Sequence, residues 1–288
     1  MTTVLREPAA DELRDVVGVL REWQREGTPM QLHPGDLGWY WRFGAGATAA
    51  AVRTWSRDGR VLAVGLLDGP GLLRLTIAPD ARQDDRLARQ LVADVTDPAR
   101  GVLPAGRANI EAPAGALVQD LLAAEGWDAD EPWTPLRRDL TEAVRDPGLR
   151  IEVVGPGQAR AFATVHRSAF DGSRFTDEGW HAMAAGSPFA DARCLLAYDA
   201  RGGAVASVIV WSAGPGRPGL LEPMGVHRDH RRRGHGTAIC VAAAAALREL
   251  GSSSALVCTP SSFVAAVAAY RAAGFRPRPE VRDLCRAA

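Results

Sequence analysis

Leu220-Leu-Glu-Pro-Met-Gly-Val-His-Arg-Asp-His-Arg-Arg-Arg-Gly-His-Gly-Thr-Ala-Ile239 is the stretch that decides the fold. Its apolar start reads as a strand over Gly219–Val226, its arginine-rich middle as a tight turn, and the Ala- and Leu-rich run from His235 to Leu250 as a helix stopped by Gly251. A turn that leads from a strand into a helix presents the unpaired N–H groups of the helix N-terminus. With glycines at 234 and 236 the backbone can lie against a bulky anion, and Arg231, Arg232 and Arg233 add positive charge. A pyrophosphate is the guest such a turn suits.

The first half of the chain repeats the plan. Gly71–Leu91 (GLLRLTIAPDARQDDRLARQL) has the same rhythm, with Ile77–Asp80 lying on Val226–Asp229 without a gap. Each copy continues with an apolar strand ending in Pro113 or Pro260 and a helical stretch closed by Gly126-Trp127 or Gly274-Phe275. Two tandem α/β domains of similar fold are therefore expected, residues 1–140 and 149–288, joined by the polar stretch Thr141–Gly148.

The spacing RxxGxG at Arg231, Gly234 and Gly236 resembles the acyl-CoA loop of the GNAT superfamily of N-acetyltransferases, and Tyr270, Arg271, Ala272, Ala273, Gly274 and Phe275 match the Tyr-x-x-x-Gly-Phe of its later helix. Phe263 stands where that helix often has Asn. The whole phrase is most similar to tandem GNAT proteins of the actinobacterial, mycothiol-synthase-like type. The resemblance implies two domains, each a mixed, mostly antiparallel sheet flanked by helices, and acetyl-CoA as cosubstrate. Its cofactor residues would be Met224, Gly225, Val226, Arg231, Arg232, Arg233, Gly234, His235, Gly236 and Thr237. It also implies acetyl transfer to the primary amine of a small molecule, by direct attack in a ternary complex in the second domain.

Amide formation from a thioester needs a base for the amine, donors for the carbonyl oxygen and an acid for the thiolate. Tyr270 resembles the acid of the family. Glu222 is the candidate base, because strand alternation would place it on one face with Met224 and Val226, and backbone N–H groups around Met224–Val226 are the candidate oxyanion donors. His227 and His235 lie near the loop, where solvent or phosphate contacts are the simpler expectation. In the first domain Asp84, Asp85 and Leu87 stand opposite Arg233, Gly234 and Gly236, and Leu122 opposite Tyr270. That copy is expected to bind no CoA. The rival reading is a non-catalytic acyl-CoA-binding sensor or assembly subunit, in which Tyr270 and Glu222 are structural.

Composition narrows the field. All 34 basic residues are Arg, which excludes a catalytic lysine, and 34 acidic residues balance them, which argues against a nucleic-acid or anionic-membrane partner. No apolar run is long enough to cross a bilayer, and MTTVLREPAADELRD is charged where a signal peptide would be apolar, so a cytoplasmic chain is expected. Cys194, Cys240, Cys258 and Cys285 lack the close pairing of zinc or disulfide frameworks and read as free, mostly buried thiols, with no metal site. Trp39, Tyr40 and Trp41 read as core rather than as the wall of a ligand pocket.

Overall fold

The computed structural model describes residues 2–287. The first half runs β1 (Val4–Arg6), α1 (Leu13–Trp23), α2 (Pro34–Tyr40), α3 (Ala45–Ala51), β2 (Val52–Arg57), β3 (Arg60–Leu67), β4 (Leu72–Ile77), α4 (Asp85–Thr96), β5 (Ala108–Glu111), α5 (Leu117–Ala124) and β6 (Asp128–Asp139). The second runs β7 (Arg150–Val153), α6 (Ala159–Ala169), α7 (Asp177–Ala184), β8 (Ala192–Tyr198), β9 (Ala204–Trp211), β10 (Gly219–Val226), α8 (His235–Glu249), β11 (Ser254–Pro260), α9 (Val264–Ala272), β12 (Arg276–Pro277) and β13 (Val281–Arg286). Helices flank one mixed sheet whose pairs are antiparallel except for β4 with β5 and β10 with β11.

The order of that sheet is β1-β2-β3-β4-β5-β13-β6-β11-β10-β9-β8-β7, with β12 also on β6. Read from either edge, the succession is the same, so the halves are related as the two ends of a palindrome. At the centre they have exchanged their last strands. β6 of the first half pairs with the whole of β11, from Ser254 opposite Asp139 to Pro260 opposite Trp133, while β13 of the second half pairs with β5. β6 and β13 then pair with each other.

Three apolar clusters fill the space between sheet and helices. One is built by the first half with Leu284 of β13 and includes the fully buried Trp55, whose indole N–H donates to buried Asp94 at 2.9 Å. The second lies under α8 and α9 and holds Ile239, Cys240 and Tyr270. The third, around Phe162, Trp180 and Trp211, draws Met30 and Trp39 from the first half. α2 approaches closely because it carries glycines: a Cβ on Gly35 or Gly38 would come within 2.4 or 2.3 Å of the Trp211 ring. Its first turn is capped by His33, whose Nδ1 accepts from Gly35 N at 2.9 Å, and whose Nε2 meets Pro218 O of the second half at 3.3 Å. Trp41 is buried against Gly186, whereas Trp39 packs on His166 and Phe175 at the edge of an open pocket of about 750 Å³. The aromatic run thus serves both as core and as pocket wall.

Candidate active site

β10 and β11 pair in parallel only at Gly219 opposite Ala255 and Leu220 opposite Leu256; beyond that point the two strands part, while β11 keeps β6 on its other edge throughout. The parting leaves one edge of β10 without a strand partner. Because His227 N donates to Val205 O of β9 at 2.9 Å, Gly225 and His227 bond inward, and the alternate residues Met224 and Val226 turn their N–H and C=O groups to the open edge. A register shift between Leu221 and Met224 marks a bulge at Glu222-Pro223. Leu221, Met224 and Val226 all pack on the cluster under α8 and α9, so the simple alternation expected from the sequence is broken at the bulge, and Glu222 turns instead toward Arg74 of the first half.

The arginine-rich turn lies at the end of this edge. Gly234 is the N-cap of α8 at φ +83°, and no side chain caps the helix. The first-turn N–H groups of a 15-residue helix are thus open to an outside acceptor. A Cβ on Gly236 would sit 3.5 Å from Val226 and 3.6 Å from Ala269, ordinary contacts, so nothing inside the protein requires glycine there; the absent side chain matters only to something lying over the turn. Gly225 differs, since a Cβ would come within 2.4 Å of Ala169, and its role is to let α6 pack on the strand. Of the three arginines, Arg231 is tied back to the Ala169 carbonyl at 2.9 Å, while Arg232 and Arg233 are exposed. His235 stands at the first position of α8, beside Thr237, and burial with His230 and Arg233 nearby holds its pKa below the usual value.

Tyr270 is buried on α9. Burial, together with the neighbouring Cys240, Glu222 and Cys258, pushes its phenol well above its ordinary range, so it keeps its proton at every physiological pH. Cys258 on β11 is pushed up to about 12 for the same reason and Cys240 higher still, so both are thiols rather than nucleophilic thiolates. Among the four cysteines, Cys194 and Cys240 are buried and Cys258 and Cys285 partly so.

Glu222 faces a charged knot that the sequence did not disclose. Arg74 on β4 is surrounded by Glu111 (2.7 Å), Asp36 (2.8 Å), Glu222 (3.7 Å) and Asp68 (3.8 Å). One guanidinium cannot neutralise four carboxylates. Burial raises the Glu222 pKa above the usual carboxylate value; Arg74 opposes this, while Glu111 and Asp68 add to it. A carboxylate so placed is better suited to hold a proton near neutrality than an ordinary surface Glu.

The corresponding places in the first half are filled by the protein's own side chains. β4 and β5 also pair in parallel for only three residues, but Asp84 caps α4 by accepting from Leu87 N at 2.8 Å, and Arg57 binds the same carboxylate at 2.7 Å. The helix end that could receive an anion already carries one. Leu122, opposite Tyr270 in the repeat, is fully buried.

Residues 161–275 match the acetyltransferase (GNAT) family. The matched segment carries the family's sequence pattern, which makes the chain an acyltransferase. Among solved structures, a GCN5-related N-acetyltransferase from Sphaerobacter thermophilus is similar over 99% of this chain and 95% of its own (19% identity, TM-score 0.61). A tandem GNAT protein from the clavulanic acid biosynthesis pathway is similar over 99% and 98% (17% identity, TM-score 0.63). A GNAT acetyltransferase from Colwellia psychrerythraea gives 99% and 98% coverage (15% identity, TM-score 0.60). These identities speak to fold, and they extend it over both halves of the chain. No curated protein sequence matches it significantly. Among the described residues, no helix is long and apolar enough to cross a membrane.

Proposed function

We propose that the second half binds acetyl-CoA and transfers its acetyl group to the primary amine of a small molecule by direct attack in a ternary complex. The observation that carries this reading is the open edge of β10 ending at the uncapped N-terminus of α8. Gly234, His235, Gly236 and Thr237 would offer backbone donors to the pyrophosphate, with Arg231, Arg232 and Arg233 supplying charge, and Met224, Gly225 and Val226 would line the pantetheine arm. Acetyl-CoA supplies the activated carbonyl; the chain supplies the rest. Glu222 takes the proton the amine nitrogen sheds, the open N–H groups of Met224 and Val226 stabilise charge on the carbonyl oxygen, and Tyr270 returns a proton to the departing thiolate.

In this reading residues 1–140 form a half that binds no CoA, because Asp84 occupies its helix end, and residues 149–288 do the chemistry. The mycothiol-synthase-like type is supported by the phrase LEPMGVHRDHRRRGHG alone. We take the acceptor to be a small molecule rather than a nucleic acid or membrane, on the balanced charge. Thiol release from acetyl-CoA across a chemically diverse amine panel tests the proposal. Turnover with at least one amine is expected; tight acetyl-CoA binding with no turnover on any amine would favour the sensor reading.

A further inference from the structure

A partly open cavity of about 180 Å³ lies between the halves, where β4 parts from β5 and β10 from β11. Glu222 and Cys258 line it from the second half, Arg74, Glu111 and Trp133 from the first, and Asp283 from the exchanged strand β13. It shares Asp68, Leu72, Trp133 and Asp283 with a more open bowl of about 410 Å³ that adds Asp130 and Glu131. The two spaces adjoin at these four residues, with Glu222 lining the inner one, and are together called the channel.

Three features of the channel select a ligand. Its lining holds six carboxylates (Asp68, Glu111, Asp130, Glu131, Glu222, Asp283) against the guanidinium groups of Arg74, Arg107 and Arg282. Arg74 is consumed by the carboxylates around it, and Arg282 donates to the Asp130 carbonyl at 2.6 Å. Even with all three guanidinium groups charged, the six carboxylates outnumber them, and negative charge is in surplus. Asp283 shows the cost: burial and the neighbouring Glu111, Asp130 and Glu131 push its pKa up to about 6, against the pull of Arg74. Between the charges the walls are apolar, with Leu72, Met30 and the Trp133 ring, which suits methylene groups and can face a cation.

We propose that the acceptor is an aliphatic di- or polyamine, its reacting nitrogen at Glu222 and its far ammonium among Asp68, Asp130, Glu131 and Asp283. This rests on the acetyl-transfer reading. The nitrogen of a neutral amine forms the new bond to the acetyl carbon, the carbon–sulfur bond breaks, Glu222 receives the proton lost by nitrogen, and Tyr270 protonates the thiolate. The products are an N-acetylated amine and free CoA. A second charge on the acceptor, held by the outer carboxylates, fixes the chain in register and leaves the inner nitrogen facing Glu222.

Calorimetry of the full chain with spermidine, with butylamine and with acetyl-CoA, followed by thiol release with each amine, tests this. Spermidine is expected to bind without cofactor and to exceed butylamine at least about tenfold in kcat/KM, the equivalent of one contact of about 1.4 kcal/mol. Glu131→Gln, at an exposed position, and Asp283→Asn are each expected to narrow that preference. Butylamine turned over as well as spermidine, with acetyl-CoA bound, overturns the polyamine assignment. Spermidine bound while acetyl-CoA is not would leave the channel standing and remove the acetyl-transfer reading instead.

Discussion

Arg74 Nη1 lies 3.7 Å from Glu222 Oε1, joining β4 of one half to β10 of the other across the centre of the sheet. The candidate base is thereby tuned by the half that carries no cofactor loop. Glu222 must be ionised to accept a proton, and its pKa is raised, so kcat/KM should fall on the acid side at a pH above the ordinary 4.5. Arg74→Gln removes the larger of the two cationic influences, Arg74 and Arg42, that hold that pKa down, and the acid limb should move to higher pH. Glu222→Gln should abolish the limb and lower the plateau. A limb in the same place in wild type and Arg74→Gln, with both folded by circular dichroism, would remove Glu222 from the base role.

Tyr270→Phe keeps the ring that packs against Phe275 at a centroid distance of 5.9 Å and removes only the hydroxyl. Thermal stability should change little, whereas kcat should fall by about 10² to 10⁴, the usual worth of a positioned acid. Calorimetry should find acetyl-CoA affinity close to wild type. A variant with undiminished kcat would make the tyrosine a packing residue.

One acetyl-CoA per chain is expected, because α4 is capped from within by Asp84 while α8 is not capped at all. Gly236→Ala should fold and bind weakly, since its Cβ meets only ordinary contacts, and Gly236→Glu should fold and lose binding as a carboxylate enters the anion position. Two equivalent sites in a titration would contradict the assignment of the first half.

The path from β10 to α8 was legible because each local signal agreed: β-forming residues, a glycine turn, then a strong helix former run. The repeat was legible for the same reason. The strand exchange was not, because β6 and β13 occupy equivalent places in the repeat, and alternation says which face a strand buries but not which neighbour it takes. Glu222 stands out in the sequence as the one charge in its strand, but its direction does not, since nothing in LLEPMGV marks a bulge beyond the proline itself. Arg74 belongs to no motif, yet a lone arginine inside the apolar run LLRLTI carries a signal: a charge in a buried strand calls for a partner. Its partners, Asp36, Asp68, Glu111 and Glu222, come from four separate segments, and only the fold assembles them.

The exchange makes a mechanical prediction. β11 has β6 as its neighbour along its whole length, so residues 149–288 alone would expose that strand edge and the apolar surface under it. Expressed by itself this half should aggregate or remain unfolded. A protease site inserted in the exposed stretch between β6 and β7 should give the opposite result: after cleavage the two fragments, held by β6–β11 and β5–β13 pairing, should elute together and keep activity. Fragments that separate under native conditions would show that the exchanged strands do not hold the halves.

His33 offers a pH test of the same junction. It is fully enclosed between α2 and Pro218, and burial, opposed by the Pro218 carbonyl, pushes its pKa from 6.5 down to about 3. Between those two values the unfolded chain binds a proton that the folded chain refuses, so this residue's contribution to stability is present above pH 6.5 and is lost as pH falls below it. By pH 5 the loss should reach about 2 kcal/mol relative to neutrality. Asn can accept from the α2 backbone as His33 does but cannot titrate, so His33→Asn should begin less stable at neutral pH, without the Pro218 contact, and then decline less steeply toward pH 5. Urea unfolding of both proteins at pH 7.5 and pH 5 measures the difference. Equal losses over that interval would mean that His33 is as readily protonated in the folded protein as in the unfolded chain.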